Sequence, residues 1–165
     1  MDRVTVFIIA VLTADGFIAE NPNHSPTTWS SSADKEFFTR KTKEAGVIVM
    51  GLNTYKTIGK SLPGRLNIVY SKEELGEGIE VTQKDPKALV DDLTKRGYKE
   101  IAICGGSTIY TMFMESGVVD KLYLTIEPIV FGSGLRIFNE EISAKLRLVS
   151  SKKIGEQTIL LEYDV

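Results

Sequence analysis

Two strand-to-helix turns carry glycine where a phosphate group can come close to the backbone. Val49-Met50-Gly51-Leu52-Asn53-Thr54 and Ile103-Cys104-Gly105-Gly106-Ser107-Thr108-Ile109-Tyr110 each follow an apolar strand and open a helix. At such a turn the glycine removes the steric barrier, and unpaired N–H groups together with the helix dipole attract an anion. Neither turn completes a G-x-G-x-x-G or P-loop pattern, and a glycine ending a strand is also ordinary turn chemistry. Two of them in one short chain shift the balance toward phosphate binding.

The acid of interest is Asp34, five residues after the only tryptophan, Trp29, and followed by Phe37 and Phe38. It has two readings, a first-turn carboxylate complementing a helix dipole or a carboxylate at the mouth of an apolar pocket. In the second setting it needs a donor-rich ligand, and an N–C–N–H edge offers two parallel charge-assisted hydrogen bonds. Arg65 ends the rigid turn Ser61-Leu62-Pro63-Gly64-Arg65, held to grip a carboxylate or phosphate or, equally, to pair with a neighbouring acid. Lys72 stands at the end of the same strand and suits a phosphate, although Lys72-Glu73-Glu74 also reads as a solvated face. His24, between Asn23 and Ser25, reads as solvent-exposed, and Cys104 as a small buried hydrophobe.

These residues need a scaffold, and 165 residues with 42% hydrophobic content support one domain, residues 1–165, with one core. A formal charge of −2 with dispersed Lys and Arg leaves no footprint for nucleic acid or an anionic membrane. A small-molecule substrate is the remaining partner class. One cysteine and one histidine exclude a disulfide framework and a Cys/His metal cluster. The segment MDRVTVFIIAVL has too short an apolar run for a spanning helix and no small-residue cleavage site, so it reads as a first strand of a cytoplasmic protein, monomer or homodimer.

Val4 to Leu12 is apolar almost throughout, as suits a central strand buried on both faces. Thr13 to Ser32 reads as a long irregular loop, and such loops are usually functional. A helix over 33–44 follows, capped by the preceding serines and ended by Gly46. Further on come a strand over 47–50, a helix capped by Asn53 through Ile58, and a strand over 66–70. Asp85-Pro86 opens a helix that Gly97 closes; a strand over 101–104, a helix from Gly106 to near Gly117 and a strand over 121–126 succeed it. Strands over 146–154 and 158–163 flank the turn Gly155-Glu156-Gln157. The fold expected is α/β, a mixed and mostly parallel sheet with an antiparallel C-terminal hairpin and helices on both faces, with its ligand crevice outside the carboxyl ends of the parallel strands.

Taken in order, the segments resemble dihydrofolate reductase over most of the chain. The most specific stretch runs from Val49-Met50-Gly51 through Asn53-Thr54-Tyr55, Ile58-Gly59 and Leu62-Pro63-Gly64-Arg65 to Asn67-Ile68. Ile101 to Tyr110 is similar to that family's second cofactor turn, Trp29 and Asp34 to its active-site tryptophan and acid, and Lys121-Leu122-Tyr123-Leu124-Thr125 to its substrate-side strand. The resemblance implies hydride transfer from NADPH to C6 of 7,8-dihydrofolate, with N5 protonated by way of water. It implies that Asp34 holds the 2-amino and N3 edge of the pterin, supported by Thr125, and that Arg65 holds the glutamate tail. Ile9, Val11, Phe38, Ile58 and Leu62 would line the substrate pocket. Gly51, Asn53, Thr54, Gly105, Gly106, Ser107, Thr108, Ile109 and Tyr110, with Ala10, Ile18, Ser71, Lys72 and Cys104, would bind the cofactor. The Thr13 to Trp29 loop would close over the nicotinamide.

Three departures bear on substrate and cofactor. Leu52 stands where the family often has an arginine for the 2′-phosphate, which makes Lys72 the candidate replacement. The loop is longer than in compact bacterial members. Pro128 to Phe138, with Gly132 and Gly134, looks more like the related riboflavin-pathway pyrimidine reductases, which also carry a Trp-x-Ser-x-x-Asp pattern. Reduction of a ribosylaminopyrimidine phosphate is therefore the alternative reaction, and a non-catalytic binding module on the same fold a third reading.

Overall fold

The computed structural model describes residues 3–165. Its elements in chain order are β1 (Thr5–Thr13), β2 (Phe17–Ala19), a 3-10 turn (Pro26–Thr28), α1 (Ser32–Ala45), β3 (Val47–Gly51), α2 (Leu52–Ile58), β4 (Leu66–Tyr70), β5 (Ile79–Thr82) and α3 (Pro86–Lys95). The second half adds β6 (Glu100–Ile103), α4 (Ser107–Glu115), β7 (Lys121–Glu127), β8 (Leu135–Arg136), β9 (Arg147–Lys153) and β10 (Ile159–Asp164).

Strand β1 is interior because its sequence leaves it no polar face: every residue from Val6 to Thr13 is buried. It lies between β6 and β7, parallel to both, in an eight-stranded sheet ordered β5-β4-β3-β6-β1-β7-β10-β9. The strands from β5 to β7 run parallel, whereas β10 pairs antiparallel with both β7 and β9 and closes the expected hairpin.

Alternation along β1 sends Val6, Ile8 and Ala10 to one face and Phe7 and Ile9 to the other. The first face is covered by Leu89 and Leu93 of α3 and by Ile109, Tyr110 and Phe113 of α4. The second is covered by Phe37 and Ala45 of α1, with Leu52, Tyr55 and Ile58 of α2 packed around them. Helices therefore flank both faces, each held mainly by the apolar surface it removes from water. Cutting the fully buried Leu93 to Ala would cost about 2–5 kcal/mol through lost burial and the cavity left behind. Among the described residues no helix is long and apolar enough to cross a membrane.

Local chemistry sets the helix ends that matter for the site. The Ser31 hydroxyl caps α1 by accepting from the Asp34 N–H (3.2 Å), and Gly46, at φ 79°, ends it with its N–H on Thr42 O. Asp85 caps α3 as its sequence predicts, accepting from Ala88 N at 3.0 Å. Asn53 is not a cap: α2 begins at Leu52 behind Gly51, and no side-chain hydrogen bond is made there. The stretch expected to be an irregular loop contains β2 and the 3-10 turn, because β2 finds an antiparallel partner in the distant β8. The edge strand β5, absent from the sequence reading, pairs parallel with β4.

Candidate active site

The carboxyl ends of β1, β3 and β6 converge where β1 meets the two glycine turns. Those turns are stitched together: Gly51 N donates to Gly105 O (2.8 Å) and Cys104 N to Val49 O (2.8 Å). A Cβ on Gly51 would stand 3.0 Å from Ile109 Cγ1, so the close packing of the turns requires glycine there. Tyr110 is buried, and its hydroxyl donates to Ile9 O at 2.7 Å, tying α4 to the end of β1.

Two cavities open on this junction and share Ala10, Val11, Thr54, Cys104 and Tyr110 as a common wall. The smaller, about 380 Å³, is lined by both Asp34 and Arg65, together with Ile9, Phe38, Ile58 and Leu62. The larger, about 750 Å³, is a cleft bordered by Ile18 and Asn53, by Gly105 to Thr108 at the start of α4, and by Arg136 and Asn139. The predicted substrate pocket and most of the predicted cofactor residues thus fall on two adjoining cavities.

Asp34 is only 8% exposed, and burial lifts its carboxyl to about 6. Hydrogen bonding from the Thr125 and Ser30 hydroxyls opposes that rise, while the negative charge of Glu127 adds to it. Thr125 is fully buried on β7, behind the acid rather than on the cavity surface. Arg65 donates through Nη1 to Thr42 Oγ1 (2.9 Å) and through Nε to Pro63 O (3.0 Å), which fixes the guanidinium at the rim. Burial pushes the Cys104 thiol up to about 12, so it stays protonated and acts as wall.

At the cleft, α4 has no acidic residue in its first turn, and its N-cap Gly106 offers no side chain to its free N–H groups. The first hydroxyls of the helix are engaged by the chain's later segment: Ser107 Oγ donates to Arg136 O, and Asn139 Nδ2 donates to Thr108 Oγ1 (3.1 Å). Among the described residues Arg136 is the one arginine or lysine on the cleft lining, and its guanidinium lies over the Phe17 ring. Gly51 and Ile109 stand behind the lining, while Ser71 and Lys72 lie off it at the end of β4. Lys72 is exposed, and Ser71 makes a local turn with Glu73. Glu127, Arg136 and Asn139 are the residues the sequence reading missed.

The segment between β1 and α1 is a lid folded onto residues 128–136. Asp15 accepts from Gly132 N (2.7 Å) and Phe131 N (3.1 Å), and the hydrogen bond from Thr13 helps hold its carboxyl below the usual range. The Phe131 ring meets Trp29 edge-on at 5.2 Å and His24 at 5.5 Å. His24 is therefore not solvent-exposed as expected; it is half-buried, its Nδ1 accepting from Glu20 N and its Nε2 bonded to the Thr28 hydroxyl.

Comparison with known proteins agrees with this geometry. The dihydrofolate reductase family model matches residues 5–154. A dihydrofolate reductase of Haemophilus influenzae is 34% identical over 122 residues, covering 74% of this chain and 71% of that protein. Among solved structures, a dihydrofolate reductase from Enterococcus faecalis complexed with NADP(H) superposes with a TM-score of 0.78 at 22% identity, covering 98% of this chain and 96% of that one. The fold is shared equally by the diaminohydroxyphosphoribosylaminopyrimidine deaminase and phosphoribosylaminouracil reductase of Thermotoga maritima, with a TM-score of 0.79 at 17% identity, covering 98% of this chain and 56% of that longer one. With a buried acid beside a nucleotide-sized cleft and a family match across nearly its whole length, the chain belongs to the dihydrofolate reductase family of oxidoreductases.

Proposed function

We propose that the chain reduces 7,8-dihydrofolate to tetrahydrofolate with NADPH, by hydride transfer to C6. The observation that carries this reading is the presence of both Asp34 and Arg65 on the lining of one mainly apolar cavity. That arrangement suits a ligand with a donor-rich heterocycle at one end and a carboxylate at the other.

At neutral pH an acid that titrates near 6 is largely ionised, so Asp34 accepts two hydrogen bonds from the 2-amino and N3 edge. Thr125 and Ser30 orient the carboxylate from behind. Arg65, already aimed by Thr42 and Pro63, takes the carboxylate of the glutamate tail bidentately. Phe38, Ile58 and Leu62 exclude water from the heterocycle and strengthen those polar contacts.

The donor set of the cleft fits NADPH: free N–H groups at the start of α4, the hydroxyls of Thr54 and Thr108, the Asn53 amide and the guanidinium of Arg136, with the Ser107 hydroxyl already given to Arg136 O. When bound there, NADPH supplies the hydride. Ala10 and Val11 on the shared wall keep the two ligands adjacent. The lid, latched by Asp15, keeps bulk water from the junction, leaving the ring nitrogen to gain its proton by way of single waters.

The test is NADPH consumption by purified protein, followed by nicotinamide absorbance with and without dihydrofolate and with NADH as control. Dihydrofolate-dependent oxidation is expected, and Asp34→Asn should abolish it while leaving NADPH affinity intact. Oxidation that ignores dihydrofolate but responds to a ribosylaminopyrimidine phosphate would assign the pocket to the pyrimidine reaction instead. In that reaction Arg65 meets no glutamate tail.

A further inference from the structure

Glu127 ends β7 two residues beyond Thr125, so both side chains leave the same face of the strand, toward α1. It is 2% exposed, and among the described residues it makes no ion pair. Its carboxylate is held by hydrogen-bond donors alone: the Ser31 N–H, the Ser31 hydroxyl (3.2 Å) and the Thr158 hydroxyl (2.6 Å). A buried carboxylate without a cation is expensive, and an amide or an apolar side chain would fill the position at lower cost. The residue that joins Glu127 to the site is Ser31, whose hydroxyl also accepts from the Asp34 N–H.

We propose that Glu127 is a positioning residue whose buried carboxyl group, across Ser31 from the substrate acid, sets the proton affinity of Asp34. The inference rests on Asp34 being the acid that meets the heterocycle. Two like charges on neighbouring buried sites oppose each other's ionisation. Glu127 thereby extends upward the pH range over which Asp34 keeps its proton, and the Ser31 contacts hold α1 at the register that presents Asp34 to the cavity. The direction agrees with the charge of Glu127 raising Asp34.

Other groups also face Asp34. Thr125 and Ser30 stabilise its ionised form, as does Lys35 on its own helix, and Tyr110 approaches from α4. Lys60 and Arg65 line the same cavity. Glu127 faces Ser31 and Thr158, and Glu156 borders the same surface hollow from the β9–β10 turn. None of these supplies a second buried negative charge on the Asp34 side of the sheet.

The experiment is a carbon-detected NMR titration of the Asp34 carboxyl in ligand-free protein, comparing wild type with Glu127→Gln and Glu127→Asp. The midpoint should fall by roughly 0.5–1 pH unit in E127Q, as expected for loss of one nearby like charge. It should stay close to wild type in E127D, which keeps the charge but shortens its reach to Ser31. A merely structural role for Glu127 would move both variants alike. If E127Q does not fold, Glu127→Met removes the charge without leaving an unsatisfied amide, and the same fall is expected. An unchanged midpoint in the charge-removing variant, or an equal fall in E127D, overturns the proposal. The titration needs no substrate, so failure of the dihydrofolate assay leaves its outcome readable, and an unchanged midpoint leaves the reductase reading standing. The companion readout is the pH profile of kcat/KM, whose acid-side limb should shift in E127Q by the same amount.

Discussion

Replacing Asp34 by Asn should make the protein more stable at neutral pH, and the gain follows from the burial of one carboxylate. In an unfolded chain an aspartate titrates at about 3.9; in the fold, burial lifts Asp34 to about 6. Below about pH 4 both states hold the proton, and the charge penalty vanishes. Between about pH 4 and 6 the unfolded chain has released a proton that the folded protein retains, so stability falls as pH rises, by about 1.4 kcal/mol per pH unit. Above about pH 6 both states are ionised and the full penalty, about 3 kcal/mol, is in force. Asparagine carries no such penalty, but its NH2 group faces the Thr125 and Ser30 hydroxyls less well, which returns about 1 kcal/mol. The net expectation is a variant about 2 kcal/mol more stable at pH ~8, or about 4–8 °C in Tm for a chain of this length. The gain should fall away on acidification and reverse near pH ~4, where the charge penalty is gone and the poorer fit of the amide leaves the variant about 1 kcal/mol less stable. Paired urea melts of wild type and D34N across this range give the difference, since titrating groups not coupled to Asp34 cancel. A pH-independent difference, or a variant less stable at pH ~8, would refute the claim that the site holds a desolvated charge.

Three further outcomes are expected. Arg65→Leu should raise KM for dihydrofolate by about 30–150-fold, the worth of about 2–3 kcal/mol for a charged bidentate contact, with little change for NADPH; equal rises would remove Arg65 from the substrate. Arg136→Gln should weaken NADPH and NADH alike by about tenfold, because Arg136 lines the same cleft as the start of α4, where a pyrophosphate common to both would lie; isothermal titration distinguishes this from a loss confined to NADPH, which would place it on the 2′-phosphate instead. Gly134→Ala should detach the lid, since at φ 147° its Cβ would stand 2.3 Å from Ala19 O; a loss on the order of 2 kcal/mol is expected, with protease cleavage between residues 13 and 30, and a variant as resistant as wild type would show that the β2–β8 pairing does not hold the lid.

What the sequence discloses depends on whether a residue's neighbours are near in the chain. β1 was legible because its apolar run has one physical meaning, and the helix caps at Ser31 and Asp85 because a cap is settled within three residues. The place of Asp34 on an apolar cavity was legible in kind, since Phe37 and Phe38 follow it at a helix start. β5 was not: Ile79 to Thr82 is four residues beside acidic turns, and only pairing with β4 makes it a strand. The lid was misread for the same reason, as β2 depends on β8 more than a hundred residues away and His24 is ordered by Phe131. The α2 start illustrates a different failure: Asn53 has the right chemistry for a cap, but the packing of Gly51 against the second turn starts the helix two residues earlier than that cap allows. Glu127 is the most instructive case. An acid ending a strand reads as a solvent-facing terminus, and period-two spacing from Thr125 gives only its face. Its burial exists because Ser31 and Thr158, from opposite ends of the chain, supply the donors that make a charge tolerable there. A residue whose role is to act on another's ionisation leaves no local pattern, so it emerges only when the hydrogen bonds around the first acid are traced one residue further.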